Sequence, residues 1–205
     1  MDSWRTILLE CPASKTNPWV NCVTEEFEGD KRVERTRLAL RNAFFELVLS
    51  QPYSRIKIAD IITMADVGRS TFYEHYKNKD DLLYASLSWP MTVLASAMLP
   101  PGKVLDVQGI LEHFWKNRSF ARPILTGSTR KHVNRCLSQI LVEQLHNISS
   151  PSQNRYVPVS AIAQALAATQ LSLLSDWLTG VYATTPDKLA QQLMLISRAI
   201  AISAV

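Results

Sequence analysis

Cysteine is scarce in this 205-residue chain: Cys11, Cys22 and Cys136 are the full set. An odd number with no CxxC pair offers neither a disulfide framework nor a zinc-binding pattern. Such thiols suit a reduced, cytoplasmic protein. The start of the chain does not read as a secretory leader, because Ile7-Leu8-Leu9 is too short an apolar core and Asp2 has the wrong charge. Long apolar runs are missing too. Tyr156–Ser175 carries no charge, but Pro158, Ser160, Gln164, Thr169, Gln170 and Ser172 interrupt it, so it is expected to be a buried bundle helix rather than a membrane span. Strand-like alternation, internal repeats and low-complexity tracts are lacking. So are a nucleophile elbow, a phosphate loop and usefully spaced paired carboxylates. An enzyme acting through Cys136 or a histidine therefore has no support. The chain is expected not to be an enzyme and to need no metal or cofactor.

Apolar residues make up 47% of the sequence, enough for a sizeable core. The net charge is +4 and the pI about 9.0, which permits an anionic partner. Its distribution says more. Residues 1–30 hold two basic residues against six acids, whereas residues 31–79 hold ten Lys or Arg against five acids, a local net of +5.

Periodicity predicts an all-α protein. Residues 1–30 read as a tail, with Pro12, Pro18, Asn17 and Asn21 and no sustained period, though Trp4, Trp19 and Phe27 could dock on the body. A first helix is expected from about Lys31, with Asp30 as N-cap and an inward stripe of Leu40, Ala43, Phe44, Leu47 and Val48 ending at Gln51-Pro52. Ile58, Ile61, Ile62 and Ala65 repeat the stripe in a shorter helix. Asp66-Val67-Gly68 reads as a turn, and Arg69–Tyr76 as a third helix with Phe72 and Tyr76 inward. Asn78 should cap a fourth helix, with Asp80 and Asp81 in its first turn. Pro90 is expected to break or kink it. Further helices are expected over about 104–117, 129–147, 157–179 and 186–204, the last with Thr185 as N-cap and Pro186 at its first position.

The stretch Ile58–Leu83, IADIITMADVGRSTFYEHYKNKDDLL, carries the function. Two short helices joined by a tight turn can set the second helix in the major groove of DNA, N-terminal residues toward the bases. Arg69, Ser70 and Thr71 occupy that first turn. Arginine pairs in bidentate fashion with guanine, and Ser or Thr meets either kind of base. Tyr73 and His75 can donate to phosphates, and Lys79 opens the next helix, whose free amides also favour an anion.

Lys31–Leu87 resembles the DNA-binding domain of the TetR/AcrR family of transcriptional regulators. The matching residues are the first-helix stripe, Ile58, Ile61, Ala65, Val67, Arg69, Ser70, Thr71, Phe72, Tyr73, His75, Tyr76, Lys79 and Leu82. The resemblance implies a homodimer whose N-terminal three helices bind a double-stranded operator while the remainder binds a small effector. It assigns recognition-helix contacts to Arg69, Ser70, Thr71 and Tyr73, and backbone contacts to His75 and Lys79. Three features depart from the family pattern. Asp66 stands where glycine is usual, and aspartate tolerates the left-handed conformation such a turn needs. Ile56-Lys57 replaces the usual Thr or Ser cap, leaving Lys57 to reach a phosphate. The leader is long and acidic, so phosphate contacts near it fall to Lys31, Arg32, Arg35 and Arg37.

The domain division expected is a tail over 1–30, a reading head over 31–88 and an effector and dimerisation body over 89–205. Trp89, Met91, Met98, His113, Phe114, Trp115 and Trp177 could line an effector pocket, with Arg118 and Asp176 as polar anchors. Ala161, Ala163, Ala165, Ala167 and Ala168, with Leu189, Leu193, Ile196 and Ile200, could form a four-helix interface with a second copy. The expected function is an operator-binding repressor released by a small molecule. The alternative is a regulator of the same kind controlled by a protein partner or by no ligand.

Overall fold

A computed structural model describes residues 31–148 and 157–202. The expected Asp30 cap and the tail with its aromatics lie outside the described residues. Among those described there is no strand; the elements are helices α1 (Lys31–Ser50), α2 (Ile58–Ala65), α3 (Arg69–His75), α4 (Lys79–Ser96), α5 (Val107–Lys116), α6 (Arg118–Thr126), α7 (Arg130–Ile148), α8 (Val159–Thr179) and α9 (Pro186–Ile202), with a 3-10 turn at Tyr53–Arg55.

The head forms because α1 buries one stripe. Leu40, Ala43, Phe44, Leu47 and Val48 are all buried, joined by Ile61 of α2, Phe72 of α3 and Leu82 and Leu83 of α4. Each of these side chains larger than alanine contributes about 1.5–3 kcal/mol of transfer free energy. Tyr53 closes the end of α1, its ring edge-on to Phe44 at 6.2 Å.

Of the break or kink expected at Pro90, the break does not occur: helix α4 runs through it. Proline removes one ladder hydrogen bond, but Pro90, Met91, Val93 and Leu94 are all buried, so packing holds the helix together. The Ser86 hydroxyl donates to the Leu82 carbonyl at 2.6 Å and Thr92 Oγ1 to Ser88 at 2.8 Å, securing the turns on either side. The expected division at residue 88 thus falls inside a continuous helix, which packs on α5 and α7.

Helix α6 was not expected. Pro123 lies inside it and disguises its period, yet Ala121, Ile124 and Leu125 form a buried patch at helical spacing. Its last carbonyls are taken up from beyond its end: Thr129 Oγ1 donates to Ile124 at 2.5 Å and the Arg130 guanidinium to Leu125 at 3.1 Å, while the same guanidinium reaches the Leu171 carbonyl of α8 at 3.2 Å.

The uncharged stretch of α8 is a bundle helix, and no helix among the described residues is long and apolar enough to cross a membrane. It packs against α6, α7 and α9. Gln170, fully buried, donates to the Leu94 carbonyl of α4 at 3.0 Å and to Ser197 Oγ of α9 at 2.9 Å. Leu189 and Leu193 of α9 lie in the core of a single copy, correcting their assignment to a dimer face. The large apolar residues α9 leaves outward are Leu195 and Ile202, 64% and 73% exposed.

Gln170→Ala removes two hydrogen bonds from a buried site and leaves a void. Urea unfolding at fixed protein concentration should show a loss of about 2–4 kcal/mol; a loss under about 1 kcal/mol would mean that this crossing of α4, α8 and α9 depends little on Gln170.

Candidate nucleic-acid interface

The turn between α2 and α3 is built as its residues require. Asp66 has φ 53° and ψ 49°, the left-handed conformation. Its N–H donates to Thr63 at 3.3 Å, and the Val67 N–H reaches back to Ile62 at 3.1 Å, closing the end of α2. At the other end the missing Thr or Ser cap is made good by Asp60, whose carboxylate accepts the Lys57 N–H at 2.9 Å. The Lys57 side chain is left exposed.

Helix α3 is pinned by Phe72, which is fully buried, and by Tyr76 just beyond its end. That anchoring turns Arg69, Ser70 and Tyr73 to solvent, with Thr71 and His75 half-buried. The Arg69 guanidinium lies 5.8 Å from the centroid of the Tyr73 ring, one helical turn on, and that ring stands edge-on to Phe72 at 5.4 Å. Arg35 of α1 is exposed. Lys77, not singled out in the sequence, is exposed between α3 and α4.

Lys79 is placed otherwise than expected. Its Nζ donates to the carbonyls of Tyr53 at 2.8 Å and Ile56 at 2.9 Å and sits 4.5 Å from the Tyr53 ring centroid. The ammonium is committed to the backbone of its own head. The start of α4 is also occupied: Asn78 Oδ1 accepts from the Asp81 N–H at 2.8 Å, and Asp81 accepts from the Lys77 N–H at 3.0 Å.

Tyr53 was not singled out in the sequence. Its hydroxyl donates to Asp80, and its N–H donates to Ser128 Oγ at 2.7 Å. Burial, then the Asp80 carboxylate, push its hydroxyl pKa far up, so it stays a donor.

Of the residues named for an effector pocket, Met91, His113 and Phe114 line one apolar cavity of about 60 Å³, together with Phe45, Pro90 and Phe120 among others. Trp89, Trp115 and Trp177 do not line it. Trp115 and Trp177 stack on each other at 4.8 Å, and Trp177 is a core residue whose Nε1 donates to Thr184 at 3.0 Å. Arg118 lies over Trp115, and neither it nor Asp176 reaches the cavity. The Asn117 amide nitrogen lies 2.9 Å from His113 Nε2. Burial, with Lys116 nearby, lowers the His113 pKa to about 4. Cys136 is buried, its thiol pushed up to about 12 by burial, the wrong poise for a nucleophile. Among the described residues no three His, Cys, Asp or Glu gather as a metal site.

The profile of the bacterial regulatory proteins of the tetR family matches residues 42–85. A stretch of 60 residues is 45% identical to the HTH-type transcriptional regulator YxbF of Bacillus subtilis (strain 168), covering 29% of this chain and 16% of that protein's length. Among solved structures, a TetR-family transcriptional regulator from Syntrophomonas wolfei is 20% identical, with 82% of this chain and 96% of that chain covered and a TM-score of 0.53. NalD, the secondary repressor of the MexAB-OprM multidrug efflux pump in Pseudomonas aeruginosa, is 22% identical, with 80% and 96% covered and a TM-score of 0.52. At those identities the likeness is one of fold.

The depressed pKa of His113 sets a pH dependence. A histidine in the unfolded chain titrates near 6.5, so between there and about 4 the unfolded state binds the extra proton and the folded state does not. The contribution of His113 to stability is therefore present above about pH 6.5 and is lost as pH falls toward 4. Thermal unfolding across that range should show a slope that His113→Asn flattens, and an NMR titration of His113 with a midpoint near 6.5 would contradict the assignment.

Proposed function

We propose that this chain, whose residues 42–85 match the tetR family of bacterial regulatory proteins, is a dimeric repressor that binds an inverted-repeat operator in double-stranded DNA and is released by a small-molecule effector. The observation that carries DNA reading is the orientation of α3. Phe72 fixes one face in the core, and the opposite face offers Arg69, Ser70 and Tyr73. Arg69 pairs with a guanine edge, its guanidinium held ready over Tyr73, while Ser70 and Thr71 meet neighbouring bases. Tyr73, His75, Lys57 and Arg35 take phosphates, with the exposed Lys77 beside them. Lys79 orders the head from within.

Residues 31–88 act as the reading head and 89–205 as the body, with α4 shared between them. The dimer reading rests on the outward faces of the last two helices. Ala161, Ala165 and Ala168 of α8 and Leu195, Ala199 and Ile202 of α9 are exposed, small or apolar, and without charge. Two such faces brought together hide apolar area from water, and two-fold symmetry demands half-sites about one helical turn, or a multiple of it, apart.

The effector site is the cavity beside Met91, Pro90 and His113. A volume of about 60 Å³ is well short of the roughly 300–1,000 Å³ of drug-sized sites. An effector entering there must widen it by moving α4 or α6. The same small volume favours the second reading, in which a protein partner or no ligand controls the regulator. A ligand that stabilises the protein and weakens operator binding by the linked factor decides for the first; ligands that stabilise it without touching operator affinity decide for the second.

Selection from random DNA should return an inverted repeat. On that operator Arg69→Ala should cost about 1–3 kcal/mol and relax preference at particular bases, whereas Lys57→Ala should weaken all sequences alike and reduce the salt slope by about one. Equal losses on every sequence for both variants would overturn these roles.

Leu195→Glu places a charge at the centre of the apolar face. Sedimentation should then show monomers, with operator affinity falling in step, because an unpaired buried charge costs several kcal/mol. An unchanged dimer would move the interface elsewhere.

A further inference from the structure

The turn that joins α1 to α2 is tied to the body through Tyr53. Tyr53 is buried and uses its N–H, its ring, its hydroxyl and its carbonyl at once. Two of these face the head: the hydroxyl donates to Asp80, and the carbonyl accepts from Lys79. The N–H faces the body, and the ring, which also meets Phe44 and Lys79 of the head, reaches the body as well. The N–H donates at 2.7 Å to the hydroxyl of Ser128, between α6 and α7, and the ring packs at 4.4 Å against His132 in the first turn of α7. His132 Nδ1 also approaches Asp80 Oδ1 to 3.6 Å, so a second line joins α7 to the start of α4.

Ser128 does not sit on a slack loop. On one side Gly127 N–H donates to Pro123 at 3.0 Å, and on the other Thr129 and Arg130 bond the last carbonyls of α6. It therefore moves with α6, which supplies Ala121, Ile124 and Leu125 to the wall of the cavity. The path from cavity wall to reading head runs α6, Ser128, Tyr53, and then Lys79 and Asp80 at the root of the helix that follows α3.

We infer that Ser128 and His132 are positioning residues for the reading head: through Tyr53 they fix the angle at which the body presents α3. They touch neither the outward face of α3 nor the cavity. The inference rests on the operator reading for its consequence, but the tie itself is a property of the free protein.

The test uses the full-length protein carrying Ser128→Ala, His132→Ala or both, with Ser128→Thr to restore the hydroxyl. Amide exchange is measured first, without DNA. Residues 51–57 should exchange about tenfold faster in Ser128→Ala, as for one lost hydrogen bond, while core amides of α8 stay unchanged and Ser128→Thr returns the rate toward wild type. Binding is then measured on a set of operators whose half-sites are moved apart or together by one and two base pairs. A fixed head angle gives a sharp spacing preference. The double variant should lose affinity for the best spacing and gain relative tolerance for the others, which a mere loss of folded protein cannot produce because it weakens every spacing equally. Unchanged exchange at 51–57, or a spacing profile identical to wild type, overturns the inference. If the wild type shows no spacing-dependent binding at all, the operator reading falls, and the exchange result alone still decides whether the tie exists.

Discussion

One helix is shared by both halves of this molecule, and the rest of the arrangement follows from it. Helix α4 starts beside the recognition helix and ends among Met91, Val93, Leu94 and Ser96 in the body core. It is a rigid rod with no loop at the expected domain boundary, so head and body cannot reorient independently unless the rod bends. Pro90 is where bending is cheapest, since the ladder bond is already missing there. The residue is buried and lines the cavity. A change in cavity shape is therefore felt at the weakest point of the helix that roots the reading head.

The chemistry of the head shows how a basic segment sorts its charges. Ten basic residues fall between 31 and 79, but they do not all face an anion. Lys79 is spent on the carbonyls of Tyr53 and Ile56, the first of which also accepts the Ile56 N–H at 3.3 Å. Arg41 pairs with Glu34 at 3.2 Å. The exposed ones include Arg35, Arg37, Arg55, Lys57, Arg69 and Lys77, with Tyr73 beside Arg69. A count of charge along a sequence thus overstates the contacts available, because some cations are needed to hold the surface that displays the others.

Most of the head was legible in the sequence because its signals are local. The stripe of α1, the aspartate in the left-handed turn, the Asn78 cap and the inward Phe72 each depend on a few neighbouring residues, and each stands as the pattern predicts. The failures are of another kind. Pro90 and Pro123 are helix breakers by local rule, yet both lie inside helices whose faces are buried by distant segments. Trp89, Trp115 and Trp177 look like pocket residues by composition, but only packing decides which aromatics border a void, and here Trp115 and Trp177 fill the space with each other. Leu189 and Leu193 carried the right period for a buried stripe; the pattern could not say whether the cover came from the same copy or a second one.

Tyr53 was the least legible residue of all, and the reason is instructive. It stands after Pro52 in a three-residue turn, with no period and no motif around it. Its partners lie 27 and 75 residues further along the chain. Its burial also removes a hydroxyl and an amide from water, which would be costly had they been left unpaired. A core leucine at this position could have sealed the end of α1 against Phe44 equally well. What leucine lacks is the hydroxyl that binds Asp80 and the aromatic ring that meets His132; the bond to Ser128 comes from the backbone N–H and leucine would keep it. Apolar packing tolerates small rotations between elements, whereas hydrogen bonds fix distance and direction together. A polar aromatic here thus joins the start of α4 to the first turn of α7 and helps to set the angle between head and body.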